Sequence, residues 1–217
     1  MNDFKAAREA MVDCQVRPSD VTRYAIIDAM LAIPREKFVP KARREVAYAD
    51  CEIALGGGRT MLAPRTFAKM LEAASIRKDD LVLELAPGSG YSTAILARMA
   101  QAVVAIEPVD TLRESAVATL EALEVDNAVV SDGDLTVGDP EHGPYDVIFI
   151  NGAVEDLPTT LFDQLKSGGR LVVIGRNAGV SQCRVIVRSG EAVSDRYAFD
   201  ASAPVLANFE KKPEFQF

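Results

Sequence analysis

Acidic side chains and glycines next to short apolar runs are the residues of this chain best suited to bind a small ligand. In the segment LVLELAPGSGYSTAILA, the apolar run 81–85 contains Glu84 and leads into a glycine-containing loop at 86–90. Glu107 and Asp134 follow two later apolar runs. Glycine lets a backbone approach a ligand closely, and carboxylates accept hydrogen bonds from hydroxyl and amino groups. The loop is therefore a candidate binding loop, and the alternative is a structural strand-to-helix turn.

The glycine spacing of this loop argues against two phosphate-binding motifs. The dinucleotide fingerprint Gly-x-Gly-x-x-Gly fails because positions 86 and 91 are Ala86 and Tyr91. The P-loop fails because no Gly-Lys-Ser/Thr follows. A pyrophosphate ligand is therefore disfavoured, and a dehydrogenase is only a distant alternative.

The region after Asp80 alternates between short apolar runs and segments with helical spacing. Strands buried on both faces read as continuous apolar runs, and βαβ units produce this alternation. The predicted strands are 81–85, 103–106, 128–130, 147–150 and 171–174, and the predicted helices are 93–99, 112–123 and 157–165. Two strand-like runs around Ser189-Gly190 predict an antiparallel hairpin. The expected fold is α/β, with a doubly wound, mainly parallel sheet.

The first 60 or so residues are predicted to be mostly helix and loop. The three glycines at 56–58 predict a mobile or tightly turned backbone. Pro64 is suited to the first turn of a helix that continues through Phe67, Met70 and Leu71.

Charge and composition exclude several classes of function. The net charge of −8 disfavours binding to nucleic acid, which usually needs a basic face. No apolar run approaches the roughly 20 residues of a membrane helix, and the charged N-terminus lacks a signal-peptide core, so we expect a cytoplasmic protein without membrane contact. Three scattered cysteines and the single His142 predict no metal site.

The spacing acid-x-small-x-Gly-x-Gly resembles the first motif of class I S-adenosylmethionine-dependent methyltransferases. The resemblance implies a Rossmann-like sheet of seven strands and S-adenosylmethionine as cofactor. It places Glu107 on the ribose hydroxyls and Asp134 on the adenine amino group. Ala86 departs from the motif, because we expect that alanine cannot take the positive φ that glycine can. The residues that the resemblance assigns to the cofactor are Glu84, Ala86, Gly88, Gly90, Glu107, Asp134 and Asn151.

Over residues up to about 200 the chain more specifically resembles protein-L-isoaspartate O-methyltransferases. The matching segments are AIPREKFVP, AYAD, GGGRTMLAP, LELAPGSGYS, GDL, GPYDVIFINGA and LKSGGRLVV. The resemblance implies methyl esterification of an isoaspartyl carboxylate in damaged protein, with a protein or peptide as substrate. It divides the chain into an N-terminal helical extension with the acceptor-side loop (1–64), a cofactor-binding domain (65–200) and a C-terminal aromatic tail (201–217).

The acceptor loop departs from the family pattern at one position. Gly58, Thr60, Met61 and Pro64 match Gly-x-Thr-Ile-Ser-x-Pro in outline, but Leu62 replaces the serine. Leucine cannot donate a hydrogen bond, so Thr60 is left as the candidate catalytic hydroxyl. Three expectations stay open: isoaspartyl methylation survives, the acceptor differs, or the protein binds cofactor or carboxylate without turnover.

The tail PVLANFEKKPEFQF also departs from the family. Its aromatic residues are Phe209, Phe215 and Phe217. They are expected to dock either on the protein's own surface, which is the more common outcome, or on a second subunit in a homodimer.

Overall fold

The computed structural model describes residues 3–211. The tail residues Phe215 and Phe217 lie outside the described part of the chain. Within residues 3–211, no helix is both long enough and apolar enough to cross a membrane. The helices are α1 (Phe4–Met11), α2 (Tyr24–Ala32), α3 (Pro64–Ala74), α4 (Tyr91–Met99), α5 (Asp110–Ala122) and α6 (Thr160–Asp163), with short π- and 3₁₀-helical turns between α1 and β1.

Seven strands form one sheet in the order β5-β4-β3-β6-β7-β8-β9. Strands β3 to β7 are parallel to one another, and β8 and β9 are antiparallel additions at one edge. The bounds are β3 (Leu81–Leu85), β4 (Ala102–Ile106), β5 (Ala128–Ser131), β6 (Tyr145–Val154), β7 (Leu165–Asn177), β8 (Val180–Ser189) and β9 (Ala192–Asp200). The predicted doubly wound sheet and its closing hairpin are confirmed.

The strand order reverses at β3, which has β4 on one side and β6 on the other. In such sheets a crevice opens beyond the carboxyl ends of the strands at the reversal. The core residues Val82, Leu83 and Leu85 are fully buried because helices cover both faces of β3. The fold therefore places the loop after β3 at the expected ligand crevice.

The N-terminal segment contains a β-hairpin that the sequence analysis did not predict. Strand β1 (Ile53–Gly56) pairs antiparallel with β2 (Arg59–Met61) across the turn Gly57-Gly58. Gly57 has φ +56°, and a Cβ there would lie 2.7 Å from Val109. The glycines predicted a turn correctly, but they serve a hairpin that packs on the sheet domain.

The N-terminal segment shares its hydrophobic core with the sheet. Ile27, Phe38 and Leu62 belong to the same buried cluster as Tyr91 and Phe149. The sequence boundary at residue 64 therefore does not separate two cores.

The predicted helix at 157–165 is wrong over most of its length. The structure has only the single turn α6 before β7 begins at Leu165. The segment Lys166–Gly169 lies within β7, and the pairing register with β6 shifts there. Gly168 and Gly169 therefore lie at a bulge in a strand, not at the end of a helix.

The described part of the tail lies against the end of β6. Pro204 O accepts a hydrogen bond from Ala153 N (3.0 Å), and Phe209 O accepts one from Glu155 N (2.9 Å). The ring of Phe209 is fully buried in the second hydrophobic cluster, which also contains Leu206. For Phe209, docking on the protein's own surface is confirmed.

The buried ring predicts a large stability effect at Phe209. We expect Phe209→Ala to lower the free energy of unfolding by about 3 kcal/mol, because truncation leaves a cavity. The matched control is Tyr24→Ala, which removes an aromatic ring that is 78% exposed and should change stability little. Urea unfolding measures both, and equal losses would contradict the docking of the tail.

Candidate cofactor and acceptor site

Glu84 is a fully buried carboxylate that joins three elements at the crevice. Its Oε1 accepts a hydrogen bond from Asn151 Nδ2 in β6 (2.6 Å). Its Oε2 accepts one from Thr93 Oγ1 in α4 (2.6 Å). Burial raises the pKa of Glu84 to about 7, although hydrogen bonds from Ser92, Thr93 and Asn151 favour the ionised form. The carboxyl group therefore fixes β6 and α4 to the end of β3.

The loop between β3 and α4 has three residues in the left-handed region. Ala86 has φ +61°, Gly88 φ +60° and Gly90 φ +89°. The expectation that alanine would resist this conformation is corrected at Ala86, which adopts it at a penalty of about 1–2 kcal/mol. Its amide donates to Ile106 O (3.0 Å), which helps to hold the strained backbone.

Gly88 and Gly90 meet different neighbours. A Cβ on Gly88 would lie 2.6 Å from the Leu55 side chain of the hairpin. A Cβ on Gly90 would lie 3.0 Å from Ala116 in α5. Gly90 therefore permits close helix packing, while Gly88 keeps the crevice side of the loop free of side chain.

Glu107, at the end of β4, is also fully buried. Its carboxylate accepts hydrogen bonds from Gly88 N (2.9 Å) and Val109 N (3.1 Å). It also pairs with Arg59 of β2, whose Nε lies 3.1 and 3.2 Å from the two oxygens. Arg59 is only 5% exposed, so this is a buried ion pair. Glu107 thus links the glycine loop to the hairpin.

The acceptor-side residues meet the loop at a small cavity. Thr60 and Leu62 line it from the hairpin side, and Pro87 and Asn151 line it from the sheet. Leu62 is buried within the hydrophobic core. The cavity has about 20 Å³ of space for the centre of a water molecule, which is room for about one water.

Asp134 lies apart from the other predicted site residues. It is exposed beyond β5. Its Oδ1 accepts hydrogen bonds from Thr136 N (2.8 Å) and Thr136 Oγ1 (2.7 Å). These bonds lower the pKa of Asp134. Its carboxylate stabilises a local turn, and its role toward an adenine stays a prediction.

The structure brings most of the remaining predicted residues together. Glu84 contacts Asn151, Gly88 contacts Glu107, and Thr60, Ala86 and Asn151 line one cavity.

Two buried arginines at this site, Arg35 and Arg59, were not predicted from the sequence. Arginine is almost never fully buried unless it is paired, and sequence spacing alone showed neither partner.

The sheet order and the glycine loop at 86–90, whose Gly88 amide is bound by the Glu107 carboxylate, define a class I methyltransferase fold. The family model for protein-L-isoaspartate(D-aspartate) O-methyltransferase matches residues 6–198. The chain belongs to this family.

Individual relatives agree with the family match. A protein-L-isoaspartate O-methyltransferase of Opitutus terrae is 41% identical over 166 residues, covering 76% of this chain and 71% of that one. A solved protein-L-isoaspartate O-methyltransferase superposes with a TM-score of 0.81 at 27% identity, over 93% of this chain and 66% of that one. A Plasmodium falciparum β-aspartate methyltransferase in complex with S-adenosyl-L-homocysteine has a TM-score of 0.79 at 20% identity, over 95% of this chain and 99% of that one, and supports the fold.

S-adenosylmethionine is the cofactor of this family, and the residues present suit it. The bare Cα of Gly88 and the buried acceptor oxygens of Glu107 lie side by side at the crevice. Leu55 and Arg59 of the hairpin cover both in this structure. A cofactor held by these residues would therefore require the hairpin side chains to move.

The buried carboxyl of Glu84 predicts a distinct pH dependence of stability. Its folded pKa of about 7 lies above the ordinary value of 4.5, so the folded state binds more protons between these pH values. The contribution of Glu84 to stability should therefore fall by about 3 kcal/mol as the pH rises from 4 to 8. Glu84→Gln should lose this fall.

Denaturant unfolding across this pH range measures the difference. Glu114→Gln, an exposed change on α5, is the control and should keep the parent profile. A parent and a Glu84→Gln variant with parallel profiles would contradict the assignment to Glu84.

The Arg59–Glu107 pair predicts opposite effects on stability and affinity. Arg59→Gln should destabilise the fold by about 3 kcal/mol, because a buried carboxylate loses its partner. It should also tighten binding of S-adenosylhomocysteine, because it removes a competitor for the Glu107 carboxylate. Calorimetric titration and thermal unfolding measure the two effects.

The control for this prediction is Arg113→Gln. Arg113 donates to the main-chain oxygen of Glu107 (3.0 Å), not to its carboxylate. Its loss should leave the affinity unchanged. Weaker binding by Arg59→Gln would show that Arg59 contributes to the site instead of covering it.

Proposed function

We propose that this protein transfers a methyl group from S-adenosylmethionine to an isoaspartyl carboxylate of a damaged protein or peptide. The observation that carries the proposal is the acid-linked glycine loop facing the acceptor hairpin, within a chain that the family model matches over residues 6–198. The proposed cofactor contacts are Glu84, Ala86, Gly88, Gly90, Glu107, Asp134 and Asn151, and Thr60 is the proposed acceptor hydroxyl.

The reaction makes modest chemical demands on the protein. When bound, the cofactor supplies an electrophilic methyl group on a sulfonium, which leaves as a thioether. A carboxylate acceptor is already ionised near pH 7, so no strong base is needed. The work left to the chain is placement of the acceptor oxygen in line with the methyl group and exclusion of water.

The lining of the cavity beside the loop suits this task, and the cavity must widen from about the volume of one water to admit the acceptor. Leu62 and Phe67 give it an apolar wall, while Thr60 and Asn151 provide polar groups. An apolar wall excludes water and strengthens hydrogen bonds to a charged acceptor. Thr60 is placed in β2, a regular strand, which limits its freedom.

Leu62 modifies the proposed activity. A hydrogen bond to a charged group typically contributes about 1.5–3 kcal/mol. Its absence in the transition state would slow the reaction roughly tenfold to a hundredfold or more. We therefore infer slow isoaspartyl methylation, and a different carboxylate acceptor is the alternative.

Restoring the serine tests this inference. Leu62→Ser should raise methylation of an isoaspartyl peptide about tenfold or more. It should also lower stability by about 2–3 kcal/mol, because Leu62 is buried. Methyl transfer from labelled cofactor is measured with an isoaspartyl peptide and with the matching aspartyl peptide.

The control variant is Leu161→Ser, the same change at a buried leucine that does not line this cavity, which should lower stability but leave the rate near the parent value. The parent must bind S-adenosylhomocysteine by calorimetry, and no binding at millimolar concentration would refute the proposed function. Binding without any methylated peptide, in the parent and in Leu62→Ser alike, would favour another acceptor.

The setting of the protein is also part of the proposal. Three unpaired cysteines suit a reducing compartment such as the cytoplasm. A homodimer stays a prediction, which light scattering of the full chain measures.

A further inference from the structure

Arg35 is a fully buried arginine without an acidic partner. Its Nε donates to Ala47 O (2.7 Å) and its Nη2 donates to Leu62 O (2.7 Å). Its Nη1 has no hydrogen-bond partner. Among residues 3–211, no carboxylate lies within 4 Å of its guanidinium nitrogens.

The other buried arginine at the crevice differs in this respect. Arg59 pairs with the carboxylate of Glu107. Burying a charge without a counter-charge is expensive, and burial accordingly lowers the pKa of Arg35. Arginine stays protonated even so. The molecule therefore holds an uncompensated positive charge beneath the acceptor loop.

A second polar group without a partner lies beside Arg35. The Tyr91 hydroxyl is buried beside the Arg35 guanidinium, which favours its ionised form, but the geometry between the two groups does not make a hydrogen bond. The Arg35 guanidinium carbon lies 4.9 Å from the centre of the Tyr91 ring. Both residues line the cavity that also contains Thr60, Leu62 and Asn151.

A purely structural role accounts for only part of this arrangement. The two bonds to main-chain oxygens explain how Arg35 holds residues 47 and 62 in place. They do not explain an unused Nη1 next to an unused hydroxyl on one cavity wall. Buried polar groups nearly always have partners, and the cavity between these two groups has room for about one water-sized atom, such as one oxygen of a ligand.

We propose that Nη1 of Arg35 and the hydroxyl of Tyr91 form a carboxylate-binding subsite. An arginine donor next to a hydroxyl donor matches the acceptor oxygens of a carboxylate. The inference rests on the proposed function for its two sources of ligand: the amino-acid end of the cofactor and the isoaspartyl acceptor itself. The bound carboxylate supplies the counter-charge that Arg35 lacks.

Tyr91→Phe is the most informative variant because it keeps the ring and removes only the hydroxyl. The free protein should be as stable as the parent or more stable, since an unsatisfied buried group is lost. Binding of the carboxylate should weaken about tenfold. A hydroxyl with only a structural role would not combine unchanged or higher stability with weaker binding when it is removed. Arg35→Lys, which keeps the charge, and Arg35→Gln, which removes it, complete the series.

Two ligand pairs distinguish the sources of the carboxylate by calorimetry. S-adenosylhomocysteine carries the amino-acid end, and methylthioadenosine lacks it. An isoaspartyl peptide carries the acceptor carboxylate, and its isoasparaginyl amide does not. Selective weakening of the first member of either pair, in Tyr91→Phe or Arg35→Gln, supports the subsite and identifies its source. Equal weakening within both pairs, or no weakening, overturns it.

A third measurement separates this inference from the proposed function. At constant ionic strength, sodium acetate in place of chloride should raise the melting temperature of the parent but not that of Tyr91→Phe. If the parent binds neither S-adenosylhomocysteine nor peptide, the proposed function fails. The melting temperatures in acetate then test by themselves whether the subsite binds a carboxylate. An equal acetate effect on both proteins, or none on either, then overturns it.

Discussion

The carboxylate of Glu107 is the interaction on which the architecture of the crevice depends. It accepts a hydrogen bond from the Gly88 amide and forms an ion pair with the Arg59 guanidinium. The first contact sets the position of the glycine loop, and the second fixes the hairpin over it. A single buried acid therefore couples the N-terminal segment to the sheet. Because the group is fully buried, each lost contact would leave a charge that water cannot reach.

Glu84 plays a different part at the neighbouring strand end. Burial raises its pKa to about 7, and its hydrogen-bond partners are neutral groups, not an arginine. The group accepts hydrogen bonds from Thr93 of α4 and Asn151 of β6 and so fixes the elements on either side of the loop. Two acids of equal burial thus have distinct electrostatic roles, because one has a cationic partner and the other does not.

The hairpin places two side chains at the crevice that bear on the proposed activity. Leu62 brings an apolar side chain to the acceptor cavity, and Arg59 covers the acid expected to bind the ribose. Arg59 and Leu62 are three positions apart and lie on one side of the crevice. The sheet side keeps its glycines, its acids and Asn151. The hairpin side of the crevice therefore presents an apolar side chain and a paired arginine, and the sheet side presents glycines and polar groups.

Periodicity and turn residues were enough to predict the parallel sheet, the closing hairpin, helices α3, α4 and α5, and the loop after β3. These features depend on local patterns, since buried strands and amphipathic helices show their burial in the order of residues. The helix predicted at 157–165 failed because apolar residues at helical spacing there belong to a single turn and a bulged strand. The resemblance placed Glu84, Gly88, Glu107 and Asn151 in one site, and the structure shows them in contact in pairs.

The sequence by itself determined the fold class, the family and the position of the glycine loop. Only the tertiary structure decided which charges are paired. The sequence does not distinguish Arg35 from Arg59. In the structure, Arg59 pairs with Glu107, which is 48 positions away, whereas Arg35 faces a cavity without a counter-charge. The reason is physical: local patterns record whether a side chain is buried, but the partner of a buried charge comes from a distant element that only folding brings near.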